Sequence, residues 1–326
     1  MLAVHIESGR VDVREAPLPA RPPGFALIRL LAAGICNTDL ELQRGYYGFS
    51  GTPGHEFVGE VAEADNAALI GLRVVGEINL ACGACDWCRA GLGRHCPHRT
   101  VLGIAGHPGA FSEYFTLPEG NLHSVPESIS TERATFTEPV AAACEILDQV
   151  AIPRGGEVAV LGDGKLGLLA AQVLLAHRAC VHLYGRHPAK LAIARACGAE
   201  TFANGNLPAS RYDWVVEATG APVGLAAAIR MARPRGTVVM KSTVHGDVPL
   251  DTAPAIVNEI TLVGSRCGRF EPALELLAGG RLRVEDMISD RFPLAEAARA
   301  FERAAASGVL KVLFEAVQEE ACSRRS

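Results

Sequence analysis

Two groups of residues in the chain could hold a metal, and they differ in kind. Cys82, Cys85, Cys88 and Cys96 stand in the stretch ACGACDWCRAGLGRHC, four thiols within fifteen residues at spacings of two, two and seven. Four thiolates match a closed, tetrahedral zinc site; with no open coordination position, such an ion braces its loop and does no chemistry. Gly83, Gly91 and Gly93 allow the tight turns that wrapping one ion requires. The second group is scattered. Cys36 lies in GICNTD, His55 and Glu56 in GHEFVG, and Glu138 in TEP. One thiolate, one imidazole and one carboxylate, with a fourth position left for water or substrate, describe a catalytic zinc site.

A third motif carries different chemistry. VAVLGDGKLG sets Gly162, Gly164 and Gly167 in the pattern G-x-G-x-x-G, with Lys165 and Leu166 opening the helix that follows. After a strand and before a helix, this pattern binds a dinucleotide. The first glycine makes the turn, the second lets the pyrophosphate approach the backbone, and the third lets helix and strand pack closely. The helix N-terminus then faces the phosphates. Gly162, Gly164, Lys165, Leu166 and Gly167 are therefore the expected cofactor residues of the turn.

These motifs need elements to position them. Residues 1 to about 140 read as short strands and turns, with β-rich runs at Val4–Ile6, Val11–Val13 and Ala26–Leu31 interrupted by Pro and Gly. From about 141 the pattern changes to strands alternating with helices. Strands are expected at 157–161, 181–184, 214–217, 237–240 and 261–263, and helices at 140–150, 165–177, 188–197 and 223–231. That alternation means a parallel sheet covered on both faces. After Gly268 the chain reads as mainly helical, with a final β-like run at 309–314 and a polar tail at 319–326 expected to be disordered.

The combination of motifs is specific. Cys36-Asn37-Thr38-Asp39, Gly54-His55-Glu56, the four-cysteine lobe, Glu138-Pro139 and the glycine turn together resemble the zinc-dependent medium-chain alcohol dehydrogenase family, which includes sorbitol and threonine dehydrogenases. The resemblance runs from about residue 3 to 316. It implies an α/β chain with a GroES-like β catalytic domain at 1–140, rejoined at 268–318, and a doubly wound Rossmann cofactor domain at 141–267. It also implies two zinc ions, one catalytic and one structural, and a cleft between the domains where zinc and nicotinamide meet.

The same resemblance implies roles. Cys36 and His55 match two ligands of the catalytic zinc, and Glu138 stands where the third stands. Glu56 matches a glutamate that can move on and off the metal, so the resting ligand is left open between the two. Asp39 matches the carboxylate that orients the histidine. Thr38 matches the hydroxyl that bonds the substrate oxygen. Liver-type members often end the proton relay on a histidine three residues later; here that residue is Glu41. The loop with Tyr46, Tyr47 and Phe49 borders the substrate cleft in the family, and Lys241 stands at a position close to the nicotinamide. Gly185 falls where NAD-using members carry an aspartate that holds the ribose hydroxyls. Glycine there removes the repulsion toward a 2′-phosphate, and Arg186 and His187 supply cationic or donor groups. NADP(H) is therefore expected over NAD(H).

Composition bounds the remaining possibilities. The 326 residues carry 31 Lys and Arg against 36 Asp and Glu, a net charge of −5, which argues against a broad nucleic-acid surface. The longest apolar run, Leu166 to Ala176, is too short to span a bilayer. The N-terminus lacks the pattern of a signal peptide, and four of the ten cysteines have metal spacing, so a cytoplasmic protein is expected. The expected partner is a small-molecule alcohol or carbonyl substrate, with no nucleic acid, no membrane, and a homodimer or homotetramer as the assembly. The competing readings are a zinc-free reductase of the same superfamily, acting on activated double bonds, and a non-catalytic nucleotide-binding protein.

Overall fold

A computed structural model describes residues 1–244 and 247–315; the polar tail at 319–326 lies outside the described residues. The chain forms two compact units, one made of Met1–Val125 and the return from Ile288, the other of Pro126–Met287. The division falls at 125/126 and 287/288, where the sequence suggested 140/141 and 267/268. Residues 126–140 and 268–287 go with the second unit because of what they pack on. Helix Thr137–Gln149 lies against helices Lys165–Ala176 and Phe270–Ala278 and buries Val140, Ala141, Ala143 and Ile146. Arg133 ties the segment down by donating to the carbonyls of Leu277 and Leu282.

The first unit is built around the long strand Phe25–Gly34, which is paired antiparallel with Glu56–Glu63, Tyr114–Pro118 and Lys311–Glu315. Arg73–Gly76 and Leu122–Ser124 extend the sheet on one side, and Ile288–Pro293 on the other. A hairpin of Leu2–Glu7 and Arg10–Glu15 stands beside it. Phe111 meets Phe314 and Phe301 edge-on, with centroids 4.9 and 6.2 Å apart. Each fully buried phenyl contributes about 1.5–3 kcal/mol of transfer free energy. Register matters most at one end of the sheet. Gly34 lies opposite Glu56 on one neighbour and Leu313 on the other, and the amide of Ile35 bonds to the carbonyl of Val312. Three adjacent strands therefore deliver Cys36, Glu56 and Lys311 to the same edge.

The second unit holds six parallel strands in the order Glu200–Ala203, Cys180–Gly185, Glu157–Leu161, Tyr212–Glu217, Ala232–Met240, Thr261–Gly264. Strand order reverses beside Glu157–Leu161, and in open sheets of this kind ligands bind beyond the carboxyl ends at that reversal. Helix Lys165–Ala176 is buried along Gly167–Leu174, as its apolar run requires. Beyond residue 140, two strands escaped the sequence pattern, Glu200–Ala203 and Ile288–Pro293. The first is a short, partly exposed edge strand; the second, ISDRFP, is largely polar and interrupts a stretch that otherwise reads as helical. Among the described residues no helix is long and apolar enough to cross a membrane.

Candidate catalytic, metal and cofactor sites

The four cysteines of the lobe converge. The Sγ atoms stand 3.5 Å apart for Cys85–Cys88 and Cys82–Cys96, 3.7 Å for Cys85–Cys96 and 3.9 Å for Cys82–Cys88. A tetrahedron of sulfurs around zinc at 2.3 Å has edges of about 3.8 Å, whereas a disulfide needs about 2.05 Å. The donor set fits the metal and not a pair of bridges. Acidity points the same way. Backbone amides of Ala84 and Cys85 bring the Cys82 thiol down to about 6. Burial, with the neighbouring thiols Cys85 and Cys96, pushes Cys88 up to about 12. Four thiolates at this spacing repel one another unless a cation lies among them.

The second cluster forms at the sheet edge of the first unit. Ligand atoms of Cys36, His55 and Glu56 all lie within 4.8 Å of one another. His55 and Glu56 are buried, and Cys36 is half-buried. Cys36 precedes helix Asn37–Gln43, and its amide donates to Asp39 Oδ2 at 2.8 Å. The other carboxylate oxygen, Oδ1, sits 3.4 Å from His55 Nδ1. That separation is a charge contact, and both atoms are otherwise buried without a hydrogen-bond partner. Burial disfavours a charged imidazole here, but the Asp39 carboxylate and the Cys36 thiol outweigh it and hold the His55 pKa well above its ordinary value. A site that draws positive charge between a thiol and two carboxylates suits a divalent cation. Thr38 is close by, with its Oγ1 3.8 Å from Cys36 Sγ.

Lys311, which the sequence reading passed over, completes this cluster. Its ammonium donates to Glu56 Oε2, and both side chains are 1% exposed. The signal was available: a lysine inside the apolar run GVLKVLF occupies a position that a core strand buries.

Glu138 belongs to the second unit, near the start of helix Thr137–Gln149, with Oε1 3.9 Å from Cys267 Sγ. Lys241 is buried there too. It donates to the carbonyls of Ala142 and Arg266 and to Ser265 Oγ at 2.7–3.0 Å, which makes it a bracket between strand end and helix. Burial brings its pKa down to about 8 against the pull of Cys267 and Glu138. Glu41 is tied to Arg44 at 2.6 Å on the surface. The rings of Tyr46 and Tyr47 touch at a 38° tilt, centroids 4.0 Å apart, with Tyr47 71% exposed.

The glycine turn has the geometry its spacing implies. Gly162 adopts φ +121°, and a Cβ there would lie 2.4 Å from the carbonyl of Ala218; one on Gly167 would lie 2.0 Å from the carbonyl of Gly162. A Cβ on Gly164 would meet nothing within 4 Å. The middle glycine thus faces open space at the N-terminus of helix Lys165–Ala176, where Lys165 and Leu166 form the first turn. Gly185 ends the neighbouring strand, followed by exposed Arg186 and half-exposed His187.

Comparison with known proteins agrees with both units. The alcohol dehydrogenase GroES-like domain model matches residues 22–127, and the zinc-binding dehydrogenase model matches 166–279. The chain is 32% identical to D-altritol 5-dehydrogenase of Agrobacterium fabrum, covering 89% of this chain and 92% of that protein. It is 27% identical to a sorbitol dehydrogenase of Halalkalibacterium halodurans over 94% of this chain and 96% of the other. Among solved structures, a chain from Sinorhizobium meliloti 1021 bound to NADP superposes with a TM-score of 0.88 at 31% identity, covering 96% of this chain and 98% of that one. The chain belongs to the zinc-type medium-chain alcohol dehydrogenase family. It is an alcohol dehydrogenase that works with a nicotinamide cofactor.

Proposed function

We propose that the protein oxidises a polyol or related alcohol to the ketone or aldehyde, reversibly, with NADP(H) as the favoured hydride carrier. The carrying observation is the buried donor set of Cys36, His55 and Glu56, with Asp39 behind the imidazole. Cys36 and His55 would hold the catalytic zinc, with a glutamate carboxylate as the third protein ligand. Glu56, engaged by Lys311, would be the carboxylate that exchanges onto the metal. Zinc held there would polarise the substrate oxygen as a Lewis acid. The chain's own residues do the rest. Asp39 fixes the ring of His55, Thr38 orients the substrate hydroxyl and passes its proton outward, and the glycine turn seats the pyrophosphate on the helix N-terminus. Glu41, held by Arg44, is open to solvent as a terminal proton acceptor. The four-cysteine lobe would hold the second, structural zinc.

Polyols are the favoured substrates because the relatives above act on altritol and sorbitol. Support for NADP(H) is the exposed Arg186 directly after Gly185 and the NADP-bound structural relative. A cytoplasmic homodimer or homotetramer is the proposed assembly; the exposed Ile256 and Val257 and the half-exposed Leu262 of the edge strand Thr261–Gly264 offer it an apolar surface. The test is a turnover screen of polyols with both cofactors. Cys36→Ala and His55→Ala should retain the fold and lose oxidation of every alcohol that the unmodified chain accepts; full activity in either variant would end this reading.

A further inference from the structure

The space that Gly185 leaves is filled from another element. A Cβ on Gly185 would lie 2.5 Å from Asp163 Cβ and 2.6 Å from its Oδ2. Asp163 is the middle residue of the first Gly-x-Gly, and its side chain is only 9% exposed. Its Oδ2 accepts from the backbone amides of Arg186 at 2.8 Å and His187 at 2.7 Å. The ring Nδ1 of His187 lies 3.0 Å from the same oxygen and 3.2 Å from Oδ1. Two successive backbone amides and an imidazole make a nest of the kind that binds phosphate and other anions. Here an internal carboxylate already occupies it. Although burial opposes the charged form, the amides of His187 and Arg186 hold Asp163 below the ordinary carboxylate range, so it is charged at neutral pH. The guanidinium of Arg186 makes no ion pair among the described residues and remains available.

We propose that Asp163 is a specificity-determining residue of the cofactor site: it returns a carboxylate to the place Gly185 vacates, occupies the anion nest of residues 185–187, and leaves a 2′-phosphate Arg186 alone of those three residues. The protein therefore accepts NADPH and NADH with narrow discrimination, although Gly185-Arg186-His187 by itself reads as a strong 2′-phosphate site. The inference rests on the reading that the cofactor's adenosine ribose lies beside Gly185. Like charges drawn to one nest disfavour one another, and the nest's donors cannot serve both anions fully.

Affinities for NADPH, NADH, adenosine 2′,5′-bisphosphate and AMP, measured by calorimetry on the full chain, test it. Asp163→Asn keeps an acceptor oxygen for the amides and removes the charge. It should raise the NADPH-to-NADH affinity ratio at least about tenfold, about 1.4 kcal/mol, with NADH little changed. A ratio that is unchanged or lowered overturns the proposal. Should that variant fail to fold, the unmodified chain decides. Preference for the bisphosphate over AMP within about tenfold supports the proposal; about a hundredfold or more contradicts it. Arg186→Ala separates the two readings. If it leaves NADPH binding unchanged, the 2′-phosphate does not lie here, and the reading beneath the proposal fails. If it weakens NADPH while Asp163→Asn moves nothing, only the proposal fails.

Discussion

Cys82, Cys85, Cys88 and Cys96 come from one loop and need little beyond it; Cys36, His55 and Glu56 come from two stretches and are held from behind by Asp39 of the first and Lys311 of a third. The lobe is partly exposed, its donors are identical, and its geometry is set by two-residue gaps. The other cluster is largely buried, its donors differ, and it depends on Asp39 and on Lys311, which lies 255 residues away from Glu56 in sequence. A site that must leave one coordination position open cannot rely on its ligands alone for shape, so the surrounding charges fix it. Four thiolates would close a coordination sphere by themselves, so the lobe needs no such support.

Four experiments can break or sharpen this contrast. The largest effect belongs to the buried cluster: Cys36→Ala or His55→Ala should lower kcat by about 10³-fold or more, since loss of the metal's polarisation removes several kcal/mol of transition-state stabilisation. Cys96→Ser in the lobe should cost thermal stability and protease resistance while kcat per folded molecule falls less than about tenfold. Comparable kcat losses in both would erase the distinction.

Lys311→Met comes next. It strands the Glu56 carboxylate in the core and should destabilise the chain by about 3–5 kcal/mol in denaturant melts. Adding Glu56→Gln should recover most of that loss; simple additivity would show that the pair is not coupled.

Asp39→Asn should lower metal affinity at the buried site, or activity, by about 10–100-fold without disturbing the lobe. Metal competition with a chromophoric chelator would resolve the two sites.

The smallest effect concerns pH. In the metal-free lobe Cys82 ionises near 6 while Cys88 stays protonated to about 12. Zinc uptake at neutral pH must displace the Cys88 proton, so lobe affinity should rise with pH, about tenfold per pH unit for each thiol still protonated. A pH-independent affinity between 7 and 9 would rule out that proton displacement.

The contrast also explains what the sequence revealed. The lobe was legible because all its information lies within fifteen residues. The four inner parallel strands of the second unit were legible because each carries a buried apolar run, and the glycine turn because its spacing is a steric requirement. Cys36 and His55 were identified through resemblance; neither has local spacing that singles it out. Lys311 and Asp163 were missed for one shared reason. Each acts on a partner brought near by strand pairing, Glu56 across the sheet edge and Gly185 on the neighbouring strand; the apolar run around Lys311 signals its burial, but sequence order does not name either partner. The boundary at Val125 was missed because the helices that claim residues 126–140 lie far along the chain.

Zinc content of the purified chain tests the central claim most directly, measured by elemental analysis alongside Cys36→Ala and Cys96→Ser. Two zinc ions per chain, falling to one in each variant, with turnover lost only in Cys36→Ala, is the expected result. A single zinc that survives in Cys36→Ala and disappears in Cys96→Ser would contradict the account: it would leave the buried cluster without a metal and return the protein to the zinc-free reductases.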